Sequence, residues 1–266
     1  MAGKVGVALG AGSTKGFAHI GVLQVLQEHH VPIDMISGSS IGAIIASIFA
    51  AGSDMYLLEK FALQMNMRDY LDIGRPSSGG LLRGNRIEEL IRLFTHRMDF
   101  SDTRIPLYCA AVDAAEGELV MLHEGSVSRA ARASMSIPGI FAPVEIDGHT
   151  YVDGGVIERI PCSVLRENGA DVILAVDVGY CGGYYDVAGM NAYELINRSI
   201  DIMQWEITKL RKLDADVMLS PKVLFVHGHF DTKSAQAVIA EGRRVAEEAL
   251  PSILETLEAH AIPLTE

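Results

Sequence analysis

Twice in the first 51 residues, a short apolar run halts at a glycine and hands over to helical spacing. Val5-Gly-Val-Ala-Leu9 stops at Gly10. The chain then crosses Gly10-Ala-Gly-Ser-Thr-Lys-Gly16 and enters Phe17 to His29, where Ile20, Val22, Leu23 and Leu26 recur at helical intervals. Met35-Ile36-Ser37 next meets Gly38-Ser-Ser-Ile-Gly42, and Ile41 to Ala51 reads as a wholly buried helix. A strand that is apolar throughout, rather than alternating, is one covered on both faces. Such strands alternating with helices predict a mostly parallel α/β sheet.

The rest of the chain continues the pattern. Asp54 is a helix N-cap by type and position. Arg68 to Gly84 is broken by Gly and Pro and reads as a loop, and Asn85 to Arg97 returns to helix. Leu107 to Val112 and Glu118 to Leu122 flank Asp113-Ala-Ala-Glu-Gly117, a hairpin signal. Ser126 to Ser134 is helical. Pro143 to Ile146 and Thr150 to Val152 flank Asp147-Gly148, a tight hairpin turn. Asp171 to Val178 is another buried strand, and Gly179 to Gly189 reads as a mobile Gly- and Tyr-rich loop. Two long helices, Asn191 to Leu213 and Ser234 to His260, close the chain around a strand pair, Val217 to Leu219 and Leu224 to Val226. Without a repeat or a linker, residues 1–266 are expected to form a single domain.

Composition narrows the partners. The 266 residues carry 22 Lys+Arg against 34 Asp+Glu, a net charge of −12. That argues against nucleic acid and strongly anionic membranes, which repel an acidic surface. Cys109, Cys162 and Cys181 form neither a disulfide framework nor a metal-binding spacing, which predicts a reducing, cytoplasmic setting. Met1-Ala2-Gly3-Lys4 shows no signal-peptide anatomy. The longest apolar stretch, Ile41 to Ala51, is well short of the about 20 residues a membrane span needs.

Three segments carry chemistry. Gly38-Ser39-Ser40-Ile41-Gly42 matches G-x-S-x-G, in which small flanking residues allow a Ser on a strained strand-to-helix turn. With 26 Gly in the chain, chance alone gives roughly 0.2 such matches, so the context matters more than the pattern. Here a short apolar run ends just before the motif and an apolar helix begins just after it. The helix N-terminus would also favour a Ser40 alkoxide. The bland reading is a glycine-rich helix start with a capping Ser. The loop Gly10 to Gly16 could hold an anion on its amides, as a dinucleotide loop, an oxyanion hole or simply a turn. Its Gly10, Gly12 and Gly16 give GxGxxxG rather than GxGxxG, and the second strand ends in the Ser40 turn where a ribose-binding carboxylate would be needed. Asp153-Gly154-Gly155 ends an apolar strand with an accessible carboxylate, although such a tripeptide is often only a turn.

These segments, in this order and rough spacing, resemble the patatin-like phospholipases, most of all the small single-domain bacterial members. The flanks agree: Phe17-Ala-His-Ile-Gly-Val-Leu23, Ser134-Met-Ser-Ile-Pro138 with Phe141 and Pro143, and Arg159-Ile-Pro161. The resemblance covers about residues 4–180 well and the terminal helices loosely. It implies a three-layer α/β/α sandwich and a Ser–Asp dyad. Ser40 takes the nucleophile's place and Asp153 that of its proton acceptor. Gly12, Ser13 and Thr14 match the oxyanion loop, with Lys15 in the basic position and Gly10, Gly16, Gly154 and Gly155 supporting. Ala11 and Ser13 interrupt the glycine run that the family often has. A Cβ there narrows access, and a residue needing positive φ would be strained.

The resemblance further implies a serine acyl-ester hydrolase acting on a fatty-acyl ester or phospholipid, with no cofactor, no metal and transient contact with a membrane surface. Two other classes fit the residues: a noncatalytic or regulatory protein of the same fold, and a nucleotide-binding α/β protein. A Ser-His-Asp triad would need a His beside Ser40. Ser40 follows only the second apolar run, which favours the dyad. His227 and His229 then read as loop residues and His19 as a packed or capping one.

Overall fold

The computed structural model describes residues 3–74, 79–179, 182–184, 186–210, 214–223, 226 and 232–265. The two opening units form as their sequence predicts. Strand β1 (Val5–Leu9) leads through a 3-10 turn at Ser13–Phe17 into helix α1 (Ala18–Glu28). Strand β2 (Met35–Ser39) leads directly into α2 (Ile41–Ala50). Helix α3 (Met55–Gln64) starts where Asp54 Oδ1 accepts the Tyr56 amide at 2.8 Å.

There follow β3 (Gly80–Leu82), α4 (Asn85–Phe94), β4 (Leu107–Asp113), β5 (Glu118–Leu122) and α5 (Val127–Ser134). Next come β6 (Gly139–Phe141), β7 (Val144–Ile146), β8 (His149–Asp153), α6 (Ser163–Glu167) and β9 (Val172–Val176). The chain closes with α7 (Ala192–Leu210), β10 (Val217–Leu219) and α8 (Ala235–Ala259).

The main sheet runs β10-β9-β1-β2-β4-β8-β7, with β5 also on β4. The first five strands in that order are parallel; β5, β8 and β7 add antiparallel pairs. Period-2 alternation sorts side chains between two faces. Val5, Val7, Leu9, Leu174 and Val176 pack with α1, α2 and α8. Ala8, Ile173 and Ala175 face Ile160, Cys162 and Leu165 on the other side. The result is an α/β/α arrangement with the sheet covered on both faces, which is why its strands are apolar throughout.

Glycines let α8 seat on α1. A Cβ on Gly21 would stand 2.2 Å from the Ile239 carbonyl oxygen, and one on Gly242 would stand 2.0 Å from that of Ala18. The Asp147-Gly148 turn has φ of 51° and 85°, as a two-residue hairpin of right-handed twist needs.

One expectation changes. Within the segment read as a loop, Gly80–Leu82 forms β3, which pairs in parallel with β6 as a separate two-stranded sheet. Three residues give too short a period to recognise in the sequence. β10 pairs with β9 in parallel. Leu224 and Phe225 lie outside the described residues, as do Cys181 and three residues in all of the 179–189 loop.

Candidate active site

The register of β4 brings Ser40 and Asp153 together. On one edge of β4, Ser39 of β2 pairs with Ala110. On that same edge, Asp153 of β8 pairs with the next residue, Ala111. The opposite edge is taken by β5, through Met121 and Val120. Parallel β2 and antiparallel β8 therefore meet end to end, one residue step apart, about 3.3 Å along the strand. Residues separated by more than a hundred positions become neighbours because two strands share one partner.

Ser40 occupies a strained turn. Its φ of 56° and ψ of −122° lie where an L-residue is rarely found. Such strain costs on the order of 1–3 kcal/mol and needs surrounding contacts to hold it. The Ser40 amide donates to Ser134 Oγ at 2.9 Å, pinning the turn to the end of α5. Gly38 and Gly42 allow the backbones to close. A Cβ on Gly38 would stand 2.3 Å from Gly42 C, and one on Gly42 would stand 2.1 Å from Leu9 O at the end of β1. Gly42→Ala is accordingly expected to destabilise the protein by about 1–3 kcal/mol, read as the urea midpoint, because the new methyl meets backbone that cannot step aside.

Asp153 is held from both sides. Its amide donates to Ser136 O at 3.0 Å, and its Oδ1 accepts the Gly155 amide at 2.7 Å. Gly154 fits only without a Cβ, which would stand 2.3 Å from Ala110 O. Oδ2 is buried and makes no well-aligned hydrogen bond among the described residues. The Ser40 side chain is still near enough to favour the ionised carboxylate. This is a long or poorly aligned contact, of a kind that commonly tightens only around substrate. Burial dominates and pushes the Asp153 pKa from 3.8 up to about 6, against the pull of Ser40 and the Gly155 amide.

The glycine loop faces the same sheet edge. The Ala11 amide is taken by Arg159 O at 3.0 Å, and that of Lys15 by Gly12 O at 3.2 Å. Among the described residues, nothing accepts from the amides of Gly12 and Thr14. Ser13, between them, adopts φ 51°, the strain expected for a side chain at this point of the loop. Ala11 is buried beside Gly155. Gly16 lies against Ile41, so the loop and the Ser40 turn are in contact. Lys15 is half-buried in the 3-10 turn.

His19 is the packed residue its sequence position predicts, and further buried side chains support the site. The fully buried His19 ring bonds Gly10 O through Nε2 at 2.8 Å, which makes Nε2 the protonated nitrogen of a neutral ring. Desolvation lowers its pKa to about 4. Arg132 is buried beneath β8. It donates to Ser136 Oγ at 2.6 Å, to Ala142 O at 2.9 Å and to Arg83 O, and lies over the Phe141 ring. Desolvation pulls its pKa down to about 10, so it remains charged at neutral pH. Arg159 pairs with Asp177 in the interior and lies over the Trp205 ring of α7. A buried cation inside a short α-helical pattern has no sequence signature; only the packing reveals it.

His227 and His229 lie outside the described residues. Elsewhere, ligand atoms of Asp113, Glu116 and His149 lie within 4.8 Å of one another at the hairpin tips. Asp113 Oδ2 takes His149 Nδ1 at 2.6 Å, and Oδ1 takes the amides of Ala115 and Glu116. That carboxylate is satisfied as an Asx turn plus an ion pair.

A serine on a strand-to-helix elbow, with a carboxylate at the abutting strand end and open amides beside it, is a hydrolase-type arrangement on an α/β/α fold. Residues 7–166 match the patatin-like phospholipase family, and the chain belongs to it. An uncharacterized NTE family protein of Mycobacterium tuberculosis is 35% identical over 180 residues, covering 66% of this chain and 49% of that protein. A lysophospholipase of Neurospora crassa is 33% identical over 181 residues, covering 66% of this chain and 12% of that protein. The chain thus spans about half, or less, of the length of these relatives. VipD from Legionella pneumophila superposes with a TM-score of 0.64 at 14% identity, over 98% of this chain and 67% of that one. Human GIVD cytosolic phospholipase A2, solved with a fluorophosphonate inhibitor, gives 0.51 at 10% identity, over 97% and 59%. At these identities the structures show a shared fold.

Proposed function

We propose that the chain hydrolyses fatty-acyl esters, with Ser40 as nucleophile and Asp153 as its general base. One observation carries this reading: a strained Ser40 abuts a buried carboxylate whose pKa, about 6, leaves it ionised yet basic at neutral pH. Ser40 Oγ bonds to the ester carbonyl carbon while Asp153 Oδ2 takes its proton. The amides of Gly12 and Thr14, with Ser13 between them, donate to the oxyanion. Collapse of the tetrahedral intermediate expels the alcohol, which recovers the proton from Asp153. Water then attacks the acyl-enzyme, Asp153 accepts its proton, and the fatty acid leaves with Ser40 regenerated. The cycle uses no cofactor.

Family membership and the lysophospholipase relative support a lipid ester such as a phospholipid or lysophospholipid. Buried, unpaired thiols at Cys109 and Cys162 suit a reducing, cytoplasmic setting. The test is release of free fatty acid from a lysophospholipid and from a soluble short-chain ester by the purified chain. Absence of both activities would leave the noncatalytic reading.

The pH dependence follows from the sign of the Asp153 shift. The base must be ionised, so kcat/KM should fall as pH drops through about 6. A free imidazole would titrate close by, at about 6.5, so variants separate the cases. His19→Ala, His227→Ala and His229→Ala, made singly, are each expected to retain activity within about tenfold and to keep the acid limb in place. A folded His variant with a thousandfold loss would mean a triad.

A further inference from the structure

Helix α7 leaves a row of large apolar side chains uncovered. Of the side chains it turns inward, Asn197, Arg198 and Thr208 are buried, and Ile200, Asp201, Gln204, Trp205 and Ile207 are half-buried. Outward it exposes five large apolar side chains, with Leu195 52% exposed, Ile196 60%, Ile202 42%, Met203 61% and Leu210 86%, interspersed with the exposed Ser199 and with Glu206, whose ion-pair partner Lys209 stands at their rim. At 100° per residue, these five fall within an arc of about 120°. A surface helix ordinarily turns side chains of this size and type inward.

The inner face reaches the candidate site. Gln204 Nε2 lies beside Gly155, two residues past Asp153, and the Trp205 ring packs on Arg159, whose carbonyl holds the glycine loop. Gln204 and Trp205 therefore belong to the site wall, and the exposed apolar side chains are left to something outside the protein. α7 is not long and apolar enough to span a bilayer.

We infer that the outer face of α7 is a lipid-surface docking element that sets the candidate active site against an uncharged or zwitterionic membrane interface. Two features favour lipid over a second copy of the chain. The five side chains expose on the order of 500 Å², below the about 800 Å² per partner of a stable protein interface. The face also lies along the wall of a site proposed to act on acyl esters. Charge selects the lipid. Both cations of the helix are engaged: Arg198 is buried, and Lys209 pairs with Glu206 at 2.6 Å while lying over Trp205. With Glu194, Asp201 and Glu206 on the same helix and −12 on the chain, an anionic surface would repel it. The choice of a lipid partner rests on the acyl-ester reading; the exposed face does not.

The experiment is flotation with phosphatidylcholine vesicles, alone and mixed with anionic phosphatidylglycerol, using the Ser40→Ala protein so that nothing is hydrolysed. The parent should float with phosphatidylcholine and less with the mixture. Ile202→Asp with Met203→Asp should cut the bound fraction by about tenfold or more. The milder pair Ile202→Gln with Met203→Gln, which guards against a folding defect, should weaken it in the same direction. With Ser40 intact, both pairs should keep soluble short-chain ester hydrolysis within about twofold, since neither side chain touches the reacting atoms. A parent that stays with the unbound fraction, or variants that float undiminished, would overturn the inference. So would a concentration-dependent dimer abolished by the same substitutions, which would assign the face to a second copy. Vesicle binding without any ester hydrolysis would leave this inference standing and remove the proposed activity instead.

Discussion

Ser40→Ala is expected to lower kcat/KM for ester hydrolysis by at least about 10³-fold, with the fold intact. The substitution removes one oxygen from a turn that already accepts small side chains. No other hydroxyl can take over, because the elbow presents only the side chain at position 40 to the abutting end of β8. Ser39 belongs to the strand, is fully buried, and pairs with Ala110. Ser40→Gly separates chemistry from strain. Glycine adopts φ 56° without the Cβ penalty, so this variant should be equally inactive yet more stable than Ser40→Ala by about 1 kcal/mol. The checks are initial rates with a soluble ester and thermal unfolding of the three proteins. A Ser40→Ala protein retaining a tenth of the parent rate would exclude Ser40 as nucleophile.

Asp153→Asn should lose nearly as much activity, and the double variant should be little worse than either single one, because nucleophile and base act as a unit. Its stability should move the other way. The folded protein at neutral pH holds a carboxylate whose pKa is raised from 3.8 to about 6. Above pH 6 that carboxylate is charged in both states and better solvated in the unfolded one, so it opposes folding. Below about pH 4 it is neutral in both, and the cost disappears. Asparagine keeps the Oδ1 acceptor for the Gly155 amide and carries no charge. The variant should therefore gain on the order of 1–3 kcal/mol at pH 8, with the gain fading as the pH falls through 6 toward 4. Urea unfolding at both pH values reads this directly. An Asp153→Asn protein that loses stability at pH 8 would mean that the carboxylate is not buried as a charge.

The sheet and the elbow were legible because they are local. Leu9 into Gly10 and Ser39 into Ile41 each place a strand end and a helix start within a few residues, and both period and punctuation survive in the sequence. What joins the site is not local. Nothing in the spacing of Ser40 and Asp153 says that both strands dock on β4 at Ala110 and Ala111; the pairing register decides that. Arg132 and Ser136 were missed as supports for the same reason, since each acts through a partner that only packing supplies. The short β3 lies below the length at which alternation can be read.

Fluorophosphonate labelling followed by peptide mapping tests the central claim most directly, since the reagent reports an activated serine whatever the natural ester is. The proposed dyad predicts a single adduct on the peptide containing Ser40, formed by the parent and lost in Ser40→Ala. In Asp153→Asn it should form at least about a hundredfold more slowly. An adduct on any other residue would contradict the dyad, as would undiminished labelling of Asp153→Asn, or an unlabelled parent that still releases fatty acid.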